Sequence, residues 1–212
     1  MSTLRFADDD TLADLATFVA RAKRVDPDGA ARLLGVGPAL AVYVSPLHGP
    51  GAPTVLGLRT LGLAEPVDVD VVVPLAALGD RLARPSGAAE LAVPPAEATG
   101  VSWAGVSPPR SGWTPLATVP AWVLADAARA GVEEVAAGTG PAAGAPAVAQ
   151  LRAGVWGRAI AGTPDLPSGV AFAADALGFL SGGDDVAVFG AGPWWRATTG
   201  RGHVLARQPL LG

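Results

Sequence analysis

The chain has 212 residues, of which half are hydrophobic and 16% are charged, and its formal net charge is −4. With a mean hydropathy of +0.38, this composition excludes wholesale disorder. The absence of cysteine excludes disulfide frameworks, thiolate metal sites and cysteine nucleophiles. Because His48 and His203 are the only histidines, a metal centre built from several histidines is also disfavoured. We therefore expect neither a metal nor a cofactor.

The chain shows no signal for a membrane. Its first ten residues turn acidic where a signal peptide would be apolar. The longest uncharged stretch lies between Arg32 and Arg59 and contains four prolines, which exclude a continuous spanning helix. The sequence thus predicts a cytoplasmic protein with no membrane partner.

The first half combines one clear helix with several strands. Residues 8–24 repeat apolar side chains at helical spacing, with acidic residues in the first turn and basic residues in the last. Two short connections favour antiparallel neighbours among the strands that follow. The predicted elements are this helix, a helical turn at 30–34, strands at 39–44, 55–63 and 67–73, a helix from 74 to 83, and edge strands at 90–93 and 101–106.

The second half turns helical. We expect Thr118 to cap a helix over 122–130 that Gly131 interrupts, and Ser168 to cap a nearly all-apolar core helix over 169–180. Phe172, Leu177 and Leu180 lie in this core helix. A further helix is predicted over 147–161, and the closing strands are predicted at 186–189, 194–199 and 203–207.

These patterns predict an α+β protein. Residues 1–106 would form a small, mostly antiparallel N-terminal sheet with flanking helices. Residues 107–118 would be a Trp- and Pro-rich connector, and residues 119–212 a helical part closed by a C-terminal β-hairpin. The connector is short and carries a tryptophan, so the two parts could also share one core and form a single domain.

The segment from Trp103 to Trp113, WAGVSPPRSGW, is the most unusual in the chain. Its prolines stiffen the backbone, and Arg110 could stack on an indole or bind a carboxylate or phosphate of a ligand. The alternative is a rigid connector whose tryptophans Trp103 and Trp113 fill the space between sheet and helices. The Trp194–Trp195 pair is a second candidate interface anchor.

His48 lies in a Gly- and Pro-rich loop, where catalytic histidines are often found, although an exposed loop histidine is the simpler interpretation. The chain has no nucleophile elbow of the G-x-S-x-G type. The fragments Gly138-x-Gly140 and Gly190-x-Gly192 lack the full spacing of a phosphate-binding loop.

The charge distribution does not favour nucleic acid. Residues 1–106 carry 8 basic and 12 acidic side chains, and residues 107–212 carry 7 of each. Locally, Arg196, Arg201 and Arg207 occur after Pro193 with no acid. Helices followed by a hairpin could describe a winged helix, but the helix at 169–180 has no side chain suited to reading bases.

One resemblance rests on three segments: WAGVSPPRSGW, FAADALGFL and WWRATTGRGHVLAR. Over residues 100–207 they resemble an uncharacterised family of actinobacterial proteins of unknown function. The resemblance implies no assigned activity, so it assigns no catalytic residue to this chain.

Acid/base and nucleophilic residues are sparse, whereas tryptophan is frequent. The sequence therefore favours a non-enzymatic binding or assembly protein, a homodimer, that acts through a Trp-rich surface. The alternative is a small-ligand binder or an enzyme that uses the Arg110 loop with His48. The third hypothesis is a winged-helix-like nucleic-acid binder.

Overall fold

The computed structural model describes residues 3–84, 87–140 and 144–207. These residues form antiparallel sheets and α-helices, which confirms the predicted α+β class. The chain divides into two compact units. The first comprises Met1–Pro46 and Leu58–Val106, and the second comprises Leu47–Gly57 and Ser107–Gly212. Within the described ranges, no helix is both long and apolar enough to cross a membrane.

The first unit contains two helices and most of the N-terminal strands. In chain order the elements are β1 (Thr3–Arg5), α1 (Asp9–Val25), β2 (Ala30–Val36), β3 (Ala39–Leu47), β4 (Thr54–Gly62), β5 (Asp70–Pro74), α2 (Leu75–Leu82), β6 (Glu90–Ala92) and a 3-10 turn (Ser102–Gly105). The last residue of β3 and the first four of β4 belong to the second unit. The strand order in this unit is β5-β2-β3-β4, and β1 pairs separately with β6.

Helix α1 forms where its sequence pattern predicts it. The Asp8 carboxylate accepts a hydrogen bond of 2.7 Å from the backbone N–H of Thr11, which satisfies one of the free donors of the first turn. Leu15, Phe18 and Val19 are buried on one side of the helix. Helix α1 packs against α2.

The helical turn predicted at 30–34 is wrong, because these residues begin strand β2. This strand pairs antiparallel with β3 on one side, where Ala31 is opposite Val44, and with β5 on the other, where Ala31 is opposite Val73. Ala31 and Leu33 are fully buried. Pairing on both sides outweighs the weak local preference of these residues, and it brings β5 beside β2.

The edge strand predicted at 101–106 is also wrong, because Ser102–Gly105 forms a 3-10 turn. Arg32 on β2 holds this turn: its Nη1 donates to the carbonyl oxygen of Ala104 at 3.0 Å. The same guanidinium donates to both carboxylate oxygens of Asp70, at 2.7 and 2.8 Å. The hydrogen bonds to Asp70 raise the pKa of Arg32, and the bond to Ala104 attaches the turn to the sheet.

The second unit contains three helices and four antiparallel strands. Its elements are β7 (Thr114–Pro120), α3 (Ala121–Gly138), α4 (Ala145–Gly157), α5 (Ser168–Ala176), β8 (Asp185–Ala191), β9 (Trp194–Thr199) and β10 (Gly202–Arg207). The strands lie in the order β7-β8-β9-β10. Helix α5 packs against α3 and β10.

Several helix boundaries differ from those predicted: α4 ends at Gly157 and not at residue 161, and α5 ends at Ala176 and not at residue 180. Thr118 lies in β7 and caps no helix, because α3 begins only after Pro120. Gly131 does not interrupt α3, which continues to Gly138. The Ser168 hydroxyl donates to the carbonyl oxygen of Val155 at 2.5 Å and does not cap α5. In each of these three cases a tertiary contact or a strand pairing involves the residue that looked like a local start or stop signal for a helix.

The core of the second unit lies around α5. The ring of Phe172 stacks on Trp156 with centroids 4.7 Å apart, and Leu177 is fully buried just past the helix end. Leu180 lies beyond the helix and is half-buried. Asp175, the single charge of this segment, is exposed, as expected for a carboxylate in an apolar helix.

Candidate functional site

Helix α3 presents an exposed tryptophan. Ala121, Leu124, Ala128 and Gly131 recur at three- and four-residue spacing and are buried against the rest of the unit. Trp122 lies outside this stripe, so the same helical geometry turns its indole outward. The side chain is 65% exposed, which is unusual for the largest apolar residue in a protein.

A groove runs beside Trp122. It has a volume of about 390 Å³ and is lined by one face of α3 and by the end of α4 with the residues that follow it. Most of the lining is apolar, including Val123, Ala127, Val155 and Ile160. We call Trp122 and this groove the α3 surface. Its volume lies within the range of sites that hold small ligands or side chains of a partner protein.

The charged side chains that line the groove are paired. Arg158 donates to both carboxylate oxygens of Glu134 at 2.9 Å, in the two-point geometry that suits guanidinium and carboxylate. These hydrogen bonds lower the pKa of Glu134 and raise that of Arg158. Asp126 forms an ion pair with Arg129 one turn along the helix. The α3 surface therefore offers apolar area with neutralised charges, which suits binding better than proton transfer.

A second arrangement of interest lies on the strands of the same unit. The guanidinium of Arg196 lies between two aromatic rings, 4.7 Å from the centre of Trp113 and 4.4 Å from the centre of Phe189. Burial lowers the pKa of Arg196. The indole N–H of Trp113 donates to the carbonyl oxygen of Pro109 at 3.0 Å, which holds the ring in place.

This arrangement gives Trp113 a cation other than Arg110. The cation that stacks on Trp113 is Arg196, and Arg110 is exposed in the loop before it. His48 is also exposed, just after the end of β3. The use of Arg110 together with His48 in one ligand site stays a prediction.

The tryptophans predicted as interface anchors have different surroundings. Trp103 is 4% exposed and Trp194 is 5% exposed, so neither indole offers a surface to a partner. Trp195 is half-buried, and its ring N–H donates to the carbonyl oxygen of Pro164 at 3.1 Å. The exposed tryptophan that could serve as an anchor is Trp122, for which the sequence predicts only a place in a helix.

Two sequence signals could have found these features. Trp122 directly follows Ala121, the first position of the buried stripe, so a helical projection places it off the core face. Arg196 lies on a predicted strand and Phe189 ends another, but their pairing and its register depend on the turn between β8 and β9. Across residues 3–84, 87–140 and 144–207, no group of three or more histidine or acidic side chains could hold a metal ion.

Two family models together cover the chain. Residues 1–105 match a domain of unknown function (DUF8010), and residues 108–211 match a second domain of unknown function (DUF8185). These matches confirm the resemblance to families without an assigned activity; an actinobacterial origin stays a prediction. A search of curated proteins found no match.

Among solved structures, the chain is similar to a DNA polymerase sliding clamp from Pseudomonas aeruginosa that was crystallised with a ligand. The identity is 11% and the TM-score is 0.50, so the likeness concerns the fold alone. The match covers 100% of this chain and 65% of the clamp chain. The present chain thus spans about two thirds of the clamp's length.

By its family matches, the chain belongs to two domain families of unknown function, DUF8010 in its first half and DUF8185 in its second half.

Proposed function

We propose that this protein is a non-enzymatic binding protein that self-associates as a homodimer through the α3 surface. The observation that carries the proposal is the 65% exposure of Trp122 beside an apolar groove. Tryptophan is among the residues that most often dominate interface energetics, and it does so when a pocket on the partner removes it from water. An indole left exposed in the monomer gains this burial only on association.

A second copy of the chain is the occupant that the charges favour. Asp126 and Glu134 line the groove, and each is already neutralised by an arginine of the same chain. Residues 107–212 carry 7 basic and 7 acidic side chains, so two copies meet without a net repulsion between these parts. The paired charges of the α3 surface would not attract a strongly charged partner protein.

Two-fold symmetry supplies the geometry. In a symmetric dimer the same patch contacts itself, so Trp122 of one copy would enter the groove of the other, and the reverse. A groove of about 390 Å³ has room for one indole. The α3 surface therefore supplies both the indole that is inserted and the groove that receives it.

The similarity to a DNA polymerase sliding clamp does not bring DNA to this chain as a ligand. The net charge of −4 gives no support for contacts with a phosphate backbone. A ligand site at Arg110 and His48 and a cytoplasmic location stay predictions, and nucleic-acid binding stays a third hypothesis that the charge distribution does not favour.

Sedimentation velocity of the full chain across micromolar concentrations tests the proposal. We expect the wild type to sediment as a dimer and Trp122→Ala as a monomer. Val132→Ala is the matched control, because Val132 is a 49% exposed apolar residue of α3 that does not line the groove. This variant should remain dimeric. A monomeric wild type, or a Trp122→Ala protein that dimerises as well as the wild type, would overturn the proposal.

A further inference from the structure

Two arginines share one face of the C-terminal strands. Arg196 on β9 is directly opposite Phe189 on β8 and Leu205 on β10. Arg207 on β10 is directly opposite Trp194 on β9. Residues that are directly opposite, or two apart on one strand, lie on the same side of a sheet. Arg196 and Arg207 are thus diagonal neighbours, with Cα atoms about 7 to 8 Å apart in such pairs.

Aromatic rings hold the guanidinium of Arg196. Trp113 and Phe189 lie 4.7 and 4.4 Å from its central carbon. A guanidinium is planar and carries its N–H donors around its edge, so stacking on its faces leaves the donors free to bind a ligand. Trp113 is itself held by the hydrogen bond that its indole N–H donates to the carbonyl oxygen of Pro109.

Both arginines keep an unsatisfied donor. The Nε atoms of Arg196 and Arg207 are buried, and neither has a hydrogen-bond partner within the described residues. A buried N–H without a partner is unfavourable and rare in folded proteins. Both donors belong to arginine side chains on the same face of the sheet. Together they indicate a site for a hydrogen-bond acceptor that a ligand would supply.

The chain itself supplies no acid nearby in sequence. From Pro193 to the end it contains three arginines and no aspartate or glutamate. Among the residues that the structure describes, the ion pairs involve other arginines. Burial without a counter-charge also lowers the pKa of Arg196, as expected for a cation that lacks its anion.

We propose that Arg196 and Arg207 form a binding site for an oxyanion, the carboxylate or phosphate group of a small-molecule ligand. A carboxylate is planar and a phosphate group is tetrahedral, but each presents a pair of oxygen atoms that a guanidinium binds at two points. The ligand group would accept hydrogen bonds from the edges of the two guanidiniums while Trp113 and Phe189 cover the faces of Arg196. This site lies on the strands and is separate from the α3 surface through which self-association is proposed.

Calorimetric titration and thermal unfolding of the full chain test this site. The probes are citrate for carboxylates and pyrophosphate for phosphates, each compared with sodium chloride at equal ionic strength. At least one probe should raise the melting temperature of the wild type above the salt control, because a ligand of the native state stabilises it. A response to citrate alone would assign the site to carboxylates, and a response to pyrophosphate alone would assign it to phosphates.

Three variants make the test specific. Arg196→Lys keeps the charge but loses the planar donor edge, and Arg207→Gln removes the second charge; each should weaken binding by about tenfold or more. Arg201→Gln is the matched control, since Arg201 lies in the exposed turn between β9 and β10. This variant should bind like the wild type. The site is refuted if neither probe acts beyond the salt control, or if Arg201→Gln weakens binding as much as Arg207→Gln.

Discussion

Gly131 in the middle of α3 lies directly against the indole of Trp156. A Cβ atom placed on Gly131 would lie 2.7 Å from Cη2 of that ring and closer still to Cζ3. Glycine destabilises a helix interior relative to alanine, so its presence here needs a reason. The reason is steric: the missing side chain lets the largest buried side chain of this unit approach the helix backbone.

Gly131→Ala should therefore destabilise the protein although it raises helix propensity. The added methyl group forces Trp156 or α3 to shift, and overpacking of this kind costs about 1 to 3 kcal/mol. Gly154→Ala is the control, because Gly154 lies in α4 and a Cβ atom added there would enter open space. Urea unfolding should show a loss for the first variant and no loss for the second. Equal stability of the two variants would contradict the close contact.

Leu177→Ala should cost about 2 to 5 kcal/mol in the free energy of unfolding, because the side chain is fully buried and its removal leaves a cavity. Leu116→Ala makes the same chemical change at a residue that is 46% exposed, and it should cost less than about 1 kcal/mol. Urea unfolding of both variants checks the difference. A loss of less than about 1 kcal/mol for Leu177→Ala would show that the residues at the end of α5 do not contribute to the core.

Glu134 predicts an acid-sensitive contribution to stability. Its pKa is lowered from the ordinary value of 4.5 by the hydrogen bonds from Arg158. A carboxyl group with a lowered folded-state pKa stabilises the fold above its unfolded pKa, and this stabilisation is lost as pH falls through the folded pKa. The contribution is therefore fully present at pH 6, declines as the pH falls below the ordinary value of 4.5, and is lost below the lowered folded-state pKa.

The comparison is between wild type and Glu134→Gln, with urea midpoints measured at pH 6 and pH 3. The wild type should be the more stable at pH 6, and the difference should shrink at pH 3. Because the pair is solvent-exposed, added salt should also reduce the difference at pH 6. Glu133→Gln, which makes the same chemical change at the exposed neighbouring position, is the matched control variant. A constant difference between wild type and Glu134→Gln at both pH values would contradict the ion pair.

Arg32→Lys should loosen the 3-10 turn that contains Trp103. Lysine keeps the charge but cannot reach Asp70 at two points and the carbonyl oxygen of Ala104 at once. We expect a loss of about 1 to 2 kcal/mol, the scale of one or two hydrogen bonds to a charged group. Arg5→Lys alters an ion pair in which the arginine is 59% exposed, and it should change stability by less than half as much. Thermal unfolding of both variants measures the two losses of stability. Equal losses for Arg32→Lys and Arg5→Lys would contradict the role of Arg32 in holding the turn.

Some elements could be predicted from the sequence because their signals are local. Helix α1 has an acidic first turn, a basic last turn and an apolar stripe, and it forms as predicted. The strand pair β9 and β10 is joined by a short turn containing Gly200 and Gly202, and it also forms as predicted. In both cases the deciding contacts lie within a few residues of each other.

Other elements were mispredicted because distant residues decide them. Residues 30–34 form a strand because β3 and β5 supply partners on both sides. Thr118 and Pro120 looked like a helix start, but the residues before Ala121 pair with β8 as strand β7. Local propensity is worth tenths of a kcal/mol per residue, and pairing within a sheet exceeds it.

The candidate sites show the same division. The sequence by itself determined the α+β class, the lack of cysteine, the abundance of tryptophan and the acid-free arginine segment after Pro193. Only the tertiary structure decided that Trp122 is exposed while Trp103 and Trp194 are buried, and that Arg196 stacks on Trp113 in place of Arg110. Exposure and stacking depend on what packs against a side chain from elsewhere in the fold, and a residue's own neighbours in sequence do not specify that.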